Sequence, residues 1–238
     1  MNKKQALFVC GTDTHVGKTI VSAWLAHHWQ ATYWKPIQSG LEEDSDSQRV
    51  AALANVTCHA EAWRLKAPLS PHQAAAQEGI DIQLHHLTLP STPRLVVEGA
   101  GGLLTPLNKT QCIAHLIAQL NLPVLLVART ALGTINHTCL TIEAIRARGI
   151  TLLGVVMVGD KNAAQCTAIE HYAQTSVLAE IPWFTPLNPS QLAQLAMPTL
   201  LKTALAHTNI TDQPSGYLVR SDNTRDAIGQ AHNHTEQA

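Results

Sequence analysis

The sequence predicts a three-layer α/β fold, a mostly parallel sheet with helices on both faces, and three observations predict it. Short β-branched or apolar runs recur along the chain, each followed by a segment of helical period, as in βα units whose strands are covered on both sides. The first run, Leu7 to Cys10, feeds a glycine-containing loop that in turn feeds a helix. With 45% hydrophobic residues in 238, the chain can bury a sizeable core.

That loop reads G-T-D-T-H-V-G-K-T from Gly11 to Thr19, a phosphate-binding loop between a strand and a helix, so the fold expected is P-loop NTPase-like. Gly17 has no Cβ, which lets backbone N–H groups approach a phosphate, and the helix beginning there adds the positive end of its dipole. Lys18 supplies a mobile charge to the β/γ-phosphates, and the Thr19 hydroxyl suits Mg²⁺. The usual spacing is G-x-x-x-x-G-K-[ST]; here five residues separate Gly11 from Gly17, so Thr12 falls where the first glycine normally stands. The loop also lacks the early lysine of the dimerising ATPase switches.

The helix Gly17 to Trp29 carries Ile20, Ala23 and Trp24 at helical spacing. A second strand, Thr32 to Trp34, leads into W-K-P-I-Q-S-G, where Lys35 is either a solvated strand-end residue or a charge for phosphoryl transfer. The acidic run Glu42 to Asp46 is either a charged turn at a helix N-terminus or the source of a Mg²⁺ carboxylate, with Asp44 and Asp46 equal candidates. From Ala60 to Pro93 prolines punctuate an irregular stretch with one helix near His72 to Gln77. The strand Leu95 to Val97 presents Glu98 at its tip, the position from which nucleotide hydrolases hold Mg²⁺, followed by Gly99 to Gly102.

Val124 to Ala128 forms the next strand. The turn Arg129 to His137 either receives an anionic group or is an ordinary βα turn capped by Thr134, and a helix from Ile135 to Arg148 stops at Gly149. Leu153 to Val158 and Val177 to Ile181 complete the strands. One domain is expected over 1–206, followed by a polar tail over 207–238 without a periodic pattern and expected to be poorly packed.

Composition narrows the function. Sixteen basic and seventeen acidic residues give a net charge of −1, with no footprint for nucleic acid or anionic lipid. No apolar run approaches the roughly 18 residues of a membrane span, and Lys3-Lys4 is followed too soon by polar residues to open a signal peptide. Five scattered cysteines without a C-x-x-C pair suit buried or half-buried thiols in a reducing cytoplasm. Thirteen histidines form no metal-ligand spacing, so surface and structural roles are expected for most of them.

On G-T-D-T-H-V-G-K-T, W-K-P-I-Q-S-G, S-P-H at Ser70 to His72, V-E-G-A-G-G, L-G-T-I-N-H and E-I-P-W at Glu180 to Trp183, in that order, the chain resembles the dethiobiotin synthetase family from about Leu7 to Leu205. The resemblance implies a homodimer with active sites at the subunit interface. It implies ATP and Mg²⁺ as cofactors, and 7,8-diaminononanoate and CO₂ as substrates of a ring closure to dethiobiotin, ADP and phosphate. Carried over by position, Lys18 and Lys35 stabilise the transferring phosphoryl group, and Thr19, Asp46 and Glu98 hold Mg²⁺. Thr12, Asp13, His15, Val16 and Gly17 surround the phosphates; Gly159 and Pro182 border the nucleotide. Thr14 and Ser39 contact the diamine or its carbamate, Gly101 and Gly102 border it, and Gly133, Ile135 and Asn136 receive its carboxylate across the interface.

Two departures stand out. The family often has glutamate where His15 stands, and an asparagine that reads adenine where this chain has Val158-Gly159-Asp160. Other expectations for the same loop are a related amidoligase or cobyrinate-type synthetase, which W-K-P-x-x-S-G and S-P-H argue against, and a nucleotide-switched binding ATPase, which would need the early loop lysine and a docking surface.

Overall fold

The computed structural model describes residues 4–185 and 187–210. In chain order the elements are β1 (Gln5–Gly11), α1 (Lys18–Trp29), β2 (Thr32–Trp34), β3 (Ile37–Ser39), α2 (Asp46–Ala54), β4 (Cys58–His59), β5 (Trp63–Leu65) and α3 (Pro71–Gln77). After them come β6 (Arg94–Gly102), α4 (Ile113–Leu120), β7 (Val124–Arg129), α5 (Thr134–Arg146), β8 (Leu152–Val158), α6 (Ala163–Ala173), β9 (Val177–Ile181), α7 (Pro189–Gln194) and α8 (Thr199–Leu205).

Seven strands form one sheet in the order β4-β2-β6-β1-β7-β8-β9, and β3 and β5 make a separate two-stranded sheet. Every ladder is parallel. The apolar runs are thus explained: a strand covered on both sides needs no polar alternation. Alternate residues of the strands face two cores. Ala6, Phe8, Leu95, Val97, Leu126 and Met157 pack with α4, α5 and α6, whereas Leu7, Val9, Val96, Val127 and Val156 pack with α1, α2, α7 and α8. The three-layer, mostly parallel sheet expected from the sequence is the fold observed.

Some elements differ from the sequence expectation. The helix after the loop buries Val21, Trp24 and Leu25, while Ile20 stays half-buried. Thr134 is not the cap of α5: Gly133 holds that position and Thr134 is buried in the first turn. The strand carrying Glu98 does not end at Val97 but runs to Gly102, with Val9 opposite Glu98 and Gly11 opposite Gly102. Within 207–210, Thr208 is buried and the Ile210 N–H donates to the Lys4 carbonyl at 2.9 Å, while His207 and Asn209 are exposed. The rest of the expected tail, 211–238, lies outside the described residues.

The order of strands places the site. From β1 the chain runs to β2 and β4 on one side, fills the skipped position with β6, and then crosses to β7, β8 and β9 on the other side. Open parallel sheets bind ligands beyond the carboxyl ends of strands where the winding reverses, here β1 and its neighbours.

Candidate active site

The loop leaves the buried end of β1 and enters α1 through Gly17, whose φ of 98° lies in the left-handed region. A Cβ there would stand 2.8 Å from Val158 Cγ1, so glycine is required by both conformation and space. The Lys18 ammonium turns back over the loop and donates to the Asp13 carbonyl at 2.9 Å. Burial lowers the Lys18 pKa, with Glu98 opposing and Lys35 reinforcing the shift. At the base of the loop, burial pushes the Cys10 thiol up to about 12, leaving it neutral and a poor nucleophile.

Four side chains from distant parts of the chain meet beside this loop. The Thr19 hydroxyl lies 2.8 Å from Asp46 Oδ1 and 3.1 Å from Glu98 Oε1. Lys35 Nζ pairs with Asp46 Oδ2 and, at 3.3 Å, with Glu98 Oε1. Lys18, Lys35 and Glu98 are only 7%, 5% and 1% exposed, so their charges act on one another with little screening from water. Burial works to lower the Lys35 pKa, but Glu98 and Asp46 outweigh it and hold the pKa above its ordinary value. Burial likewise works against the Asp46 charge, and Lys35 with the Thr19 hydroxyl overcomes it and lowers the pKa.

The site is supported by residues whose roles the sequence did not reveal. Tyr33, wholly buried on β2, donates to Glu98 Oε2 at 3.0 Å, which leaves Oε1 for Thr19 and Lys35. Burial, then the Glu98 charge, pushes the Tyr33 pKa well above its usual value and keeps it a donor. Gln38 Oε1 accepts the Asp46 N–H at 3.1 Å, while Ser45 and Gln48 form a reciprocal capping box at the start of α2. A buried tyrosine on a strand needs a hydrogen-bond acceptor, and that was the available signal for Tyr33. Gln38 stood inside the motif W-K-P-I-Q-S-G.

A cavity of about 800 Å³ opens over this cluster. Thr14, His15, Gly17, Lys18, Thr19, Lys35, Ser39, Asp46, Glu98 and Gly101 all line it, joined by Gln38, Ser70, Thr105 and Trp183. Ser39 Oγ is buried and makes no hydrogen bond. Asp44 also lines the cavity but is exposed, and Asp46 is the one of the two that meets Thr19.

Other expected site residues stand outside that lining. Thr12, Asp13 and Val16 belong to the body of the loop, and Gly102 ends β6 with its N–H donating to Thr105 Oγ1 at 2.8 Å. Gly159 lies past β8, where a Cβ would stand 2.1 Å from Thr130 Oγ1, and Pro182 follows β9. Gly133, Ile135 and Asn136 stand at the start of α5 next to the fully exposed Leu132 and are not part of the cavity lining.

As ligands, Thr19, Asp46 and Glu98 offer only oxygen, which suits a hard cation such as Mg²⁺. Among the described residues no cluster of three or more His, Cys, Asp or Glu side chains forms a complete metal site. Two carboxylates and a hydroxyl are what Mg²⁺ uses when phosphate oxygens and water complete its shell. The donor set fits.

Comparison with known proteins agrees with this geometry. A family model described as an AAA domain matches residues 5–191. An ATP-dependent dethiobiotin synthetase BioD from Paramagnetospirillum magneticum is 51% identical over 197 residues, 82% of this chain and 96% of that protein. Its namesake from Brucella ovis is 47% identical over 190 residues, 78% of this chain and 90% of that one. A biotin biosynthesis bifunctional protein BioCD from Bordetella avium is 53% identical over 185 residues, 76% of this chain but 40% of its own length. Among solved structures, a ParA family ATPase from Chlorobium tepidum covers 87% of this chain and 96% of its own with a TM-score of 0.50 at 12% identity, a likeness of fold alone. With a phosphate loop, paired carboxylates and buried lysines in one cavity, and about half the sequence shared with relatives matched along nearly their whole length, the chain belongs to the ATP-dependent dethiobiotin synthetase family.

Proposed function

We propose that this ligase of biotin biosynthesis carboxylates 7,8-diaminononanoate with CO₂ and closes the cyclic urea at the expense of ATP. One amine takes up CO₂ as a carbamate, ATP phosphorylates a carbamate oxygen, and the second amine attacks the mixed anhydride carbon, releasing inorganic phosphate. The observation that carries this is the convergence of Lys18, Lys35, Thr19, Asp46 and Glu98 in a cavity with no cysteine among its described lining residues, while the Cys10 thiol at the base of the loop is held neutral. Such a site orients reactants and stabilises charge, and the substrate amine is its own nucleophile.

Lys18 and Lys35 stabilise the transferring phosphoryl group. Thr19, Asp46 and Glu98 would hold Mg²⁺, which would supply charge neutralisation for the nucleotide phosphates. Thr12, Asp13, His15, Val16 and Gly17 wrap those phosphates, and Gly159 and Pro182 border the base. Thr14 and Ser39 contact the diamine or its carbamate, and the unpartnered Ser39 hydroxyl supports that assignment. Gly101 and Gly102 form the backbone floor. Gly133, Ile135 and Asn136 serve the partner's site in a homodimer, a role supported by their standing outside the lining of the cavity and by the exposed Leu132 and Leu140 beside them. The catalytic unit is 1–206. Free cysteines throughout the described residues fit a cytoplasmic setting.

The test is incubation with 7,8-diaminononanoate, bicarbonate, Mg²⁺ and ATP, with CTP and GTP in parallel, following phosphate and dethiobiotin together. Dethiobiotin formed in step with phosphate is the expected result. Phosphate without dethiobiotin would reassign the chain to another acceptor.

A further inference from the structure

The S-P-H segment lies on the cavity wall that the proposed phosphate chemistry does not use. Ser70 immediately precedes α3, yet its hydroxyl does not cap that helix. Instead Ser70 Oγ donates to Gln73 Oε1 at 2.8 Å, and His72 Nδ1 lies 3.1 Å from the same oxygen. A serine hydroxyl has one proton and two lone pairs. With the proton given to Gln73, the contact with His72 requires Nδ1 to be the donor, which selects the tautomer of that ring. One lone pair then remains, on a residue that lines the cavity beside Pro68 and Pro71.

The segment is fixed from both sides. The His72 N–H donates to the Pro106 carbonyl at 3.3 Å, tying α3 to the turn after β6. Pro68 also packs against Gly40, the end of the W-K-P-I-Q-S-G motif. An oxygen held in this way can accept a hydrogen bond but cannot give one. It complements an N–H group and leaves a carboxylate or carbonyl at the same place without a donor.

We propose that Ser70 is a specificity-determining contact that accepts an N–H from an amine of the acceptor substrate, and that His72 and Gln73 are positioning residues that force it to act as an acceptor. This rests on the diamine carboxylation proposed above and adds the recognition of the amine end to it.

The test is steady-state kinetics of the full chain with 7,8-diaminononanoate and ATP varied separately. Ser70→Ala should raise KM for the diamine about three- to tenfold and leave KM for ATP unchanged. His72→Ala should give part of that rise and add nothing in the Ser70→Ala background, while His72→Asn, which keeps a donor near the Nδ1 position, should restore the wild-type value. An unchanged diamine KM in Ser70→Ala, or an equal rise in both KM values, overturns the assignment of Ser70. Additive effects of the two alanine variants overturn the positioning role of His72. If wild-type protein makes no dethiobiotin, the proposed reaction itself fails and the assignment of Ser70 falls with it.

Discussion

Lys35 is buried between two carboxylates, and Glu98 and Asp46 outweigh the cost of burial and favour its charged form. Such a cation is arranged before any substrate arrives, which makes it effective where charge develops in a transition state. Lys18→Gln and Lys35→Gln should each lower turnover by about 10²- to 10³-fold while the thermal unfolding midpoint shows the fold intact. Unchanged turnover in either variant would refute its assigned role. Tyr33→Phe removes the donor that holds Glu98 Oε2 and should weaken divalent metal binding about tenfold, read by calorimetric titration of Mn²⁺ in the presence of ADP. Equal affinities would show that Glu98 is oriented without it. At this scale the sequence revealed the residues whose signal is local. Lys18 and Thr19 belong to one contiguous loop, and Glu98 is a carboxylate amid an apolar run. Tyr33 and Gln38 stayed hidden because their partners lie 65 and 8 positions away, and neither the need of a buried tyrosine for an acceptor nor a place inside a motif says which group is the partner. The choice between Asp44 and Asp46 depended on where α2 begins, a boundary that spacing alone does not give.

Elements with strong periodicity or an apolar, β-branched run, such as β1 and β7, were legible, and the shortest strands and a helix with a narrow polar side were not. The strands β3, β4 and β5 contain two or three residues each, too few for a period to be counted. In α4, Ile113, Ala114, Leu116, Ile117, Ala118 and Leu120 are all buried, and only His115 and Gln119 mark its polar side, too few for a helical period to be read in eight residues. The start of α2 shows how an element serves the site: its capping box fixes the first turn, and Asp46 is the first residue of that turn. Ser45→Ala should cost about 1 kcal/mol in urea unfolding through the lost cap. It should also raise the Mg²⁺ concentration needed for half-maximal activity. A stability loss with no change in metal requirement would separate the cap from the carboxylate it precedes.

The whole molecule holds the charged cluster at the carboxyl end of its central strands, so the cluster contributes to stability as well as chemistry. Asp46 has a folded pKa below its ordinary 3.8, and its contribution is present above that value and lost as pH falls through the lowered one. Lys35 has a folded pKa above its ordinary 10.5, and its contribution is present below that value and lost as pH rises through the raised one. The stability difference between wild type and Asp46→Asn should therefore stay level at intermediate pH and close below 3.8, as measured by urea midpoints across a pH series. A difference that persists unchanged in acid would sink this account. The strand order itself was not legible, because β6 enters between β1 and β2 only after 59 intervening positions have been spent on the far edge and the small sheet, and no local pattern records that return. The two walls of the cavity, moreover, grow from different sheets. Lys18 and Thr19 open α1 behind β1, Lys35 follows β2 and Glu98 stands on β6, all borne by the seven-stranded sheet, whereas Ser39 and the Pro68 to Pro71 segment hang from the two-stranded one. On the proposed reaction the smaller unit would choose the molecule that is energised and the larger one would energise it, and because Gln38 of β3 also holds Asp46, the tool head is bolted to its chassis rather than freely interchangeable.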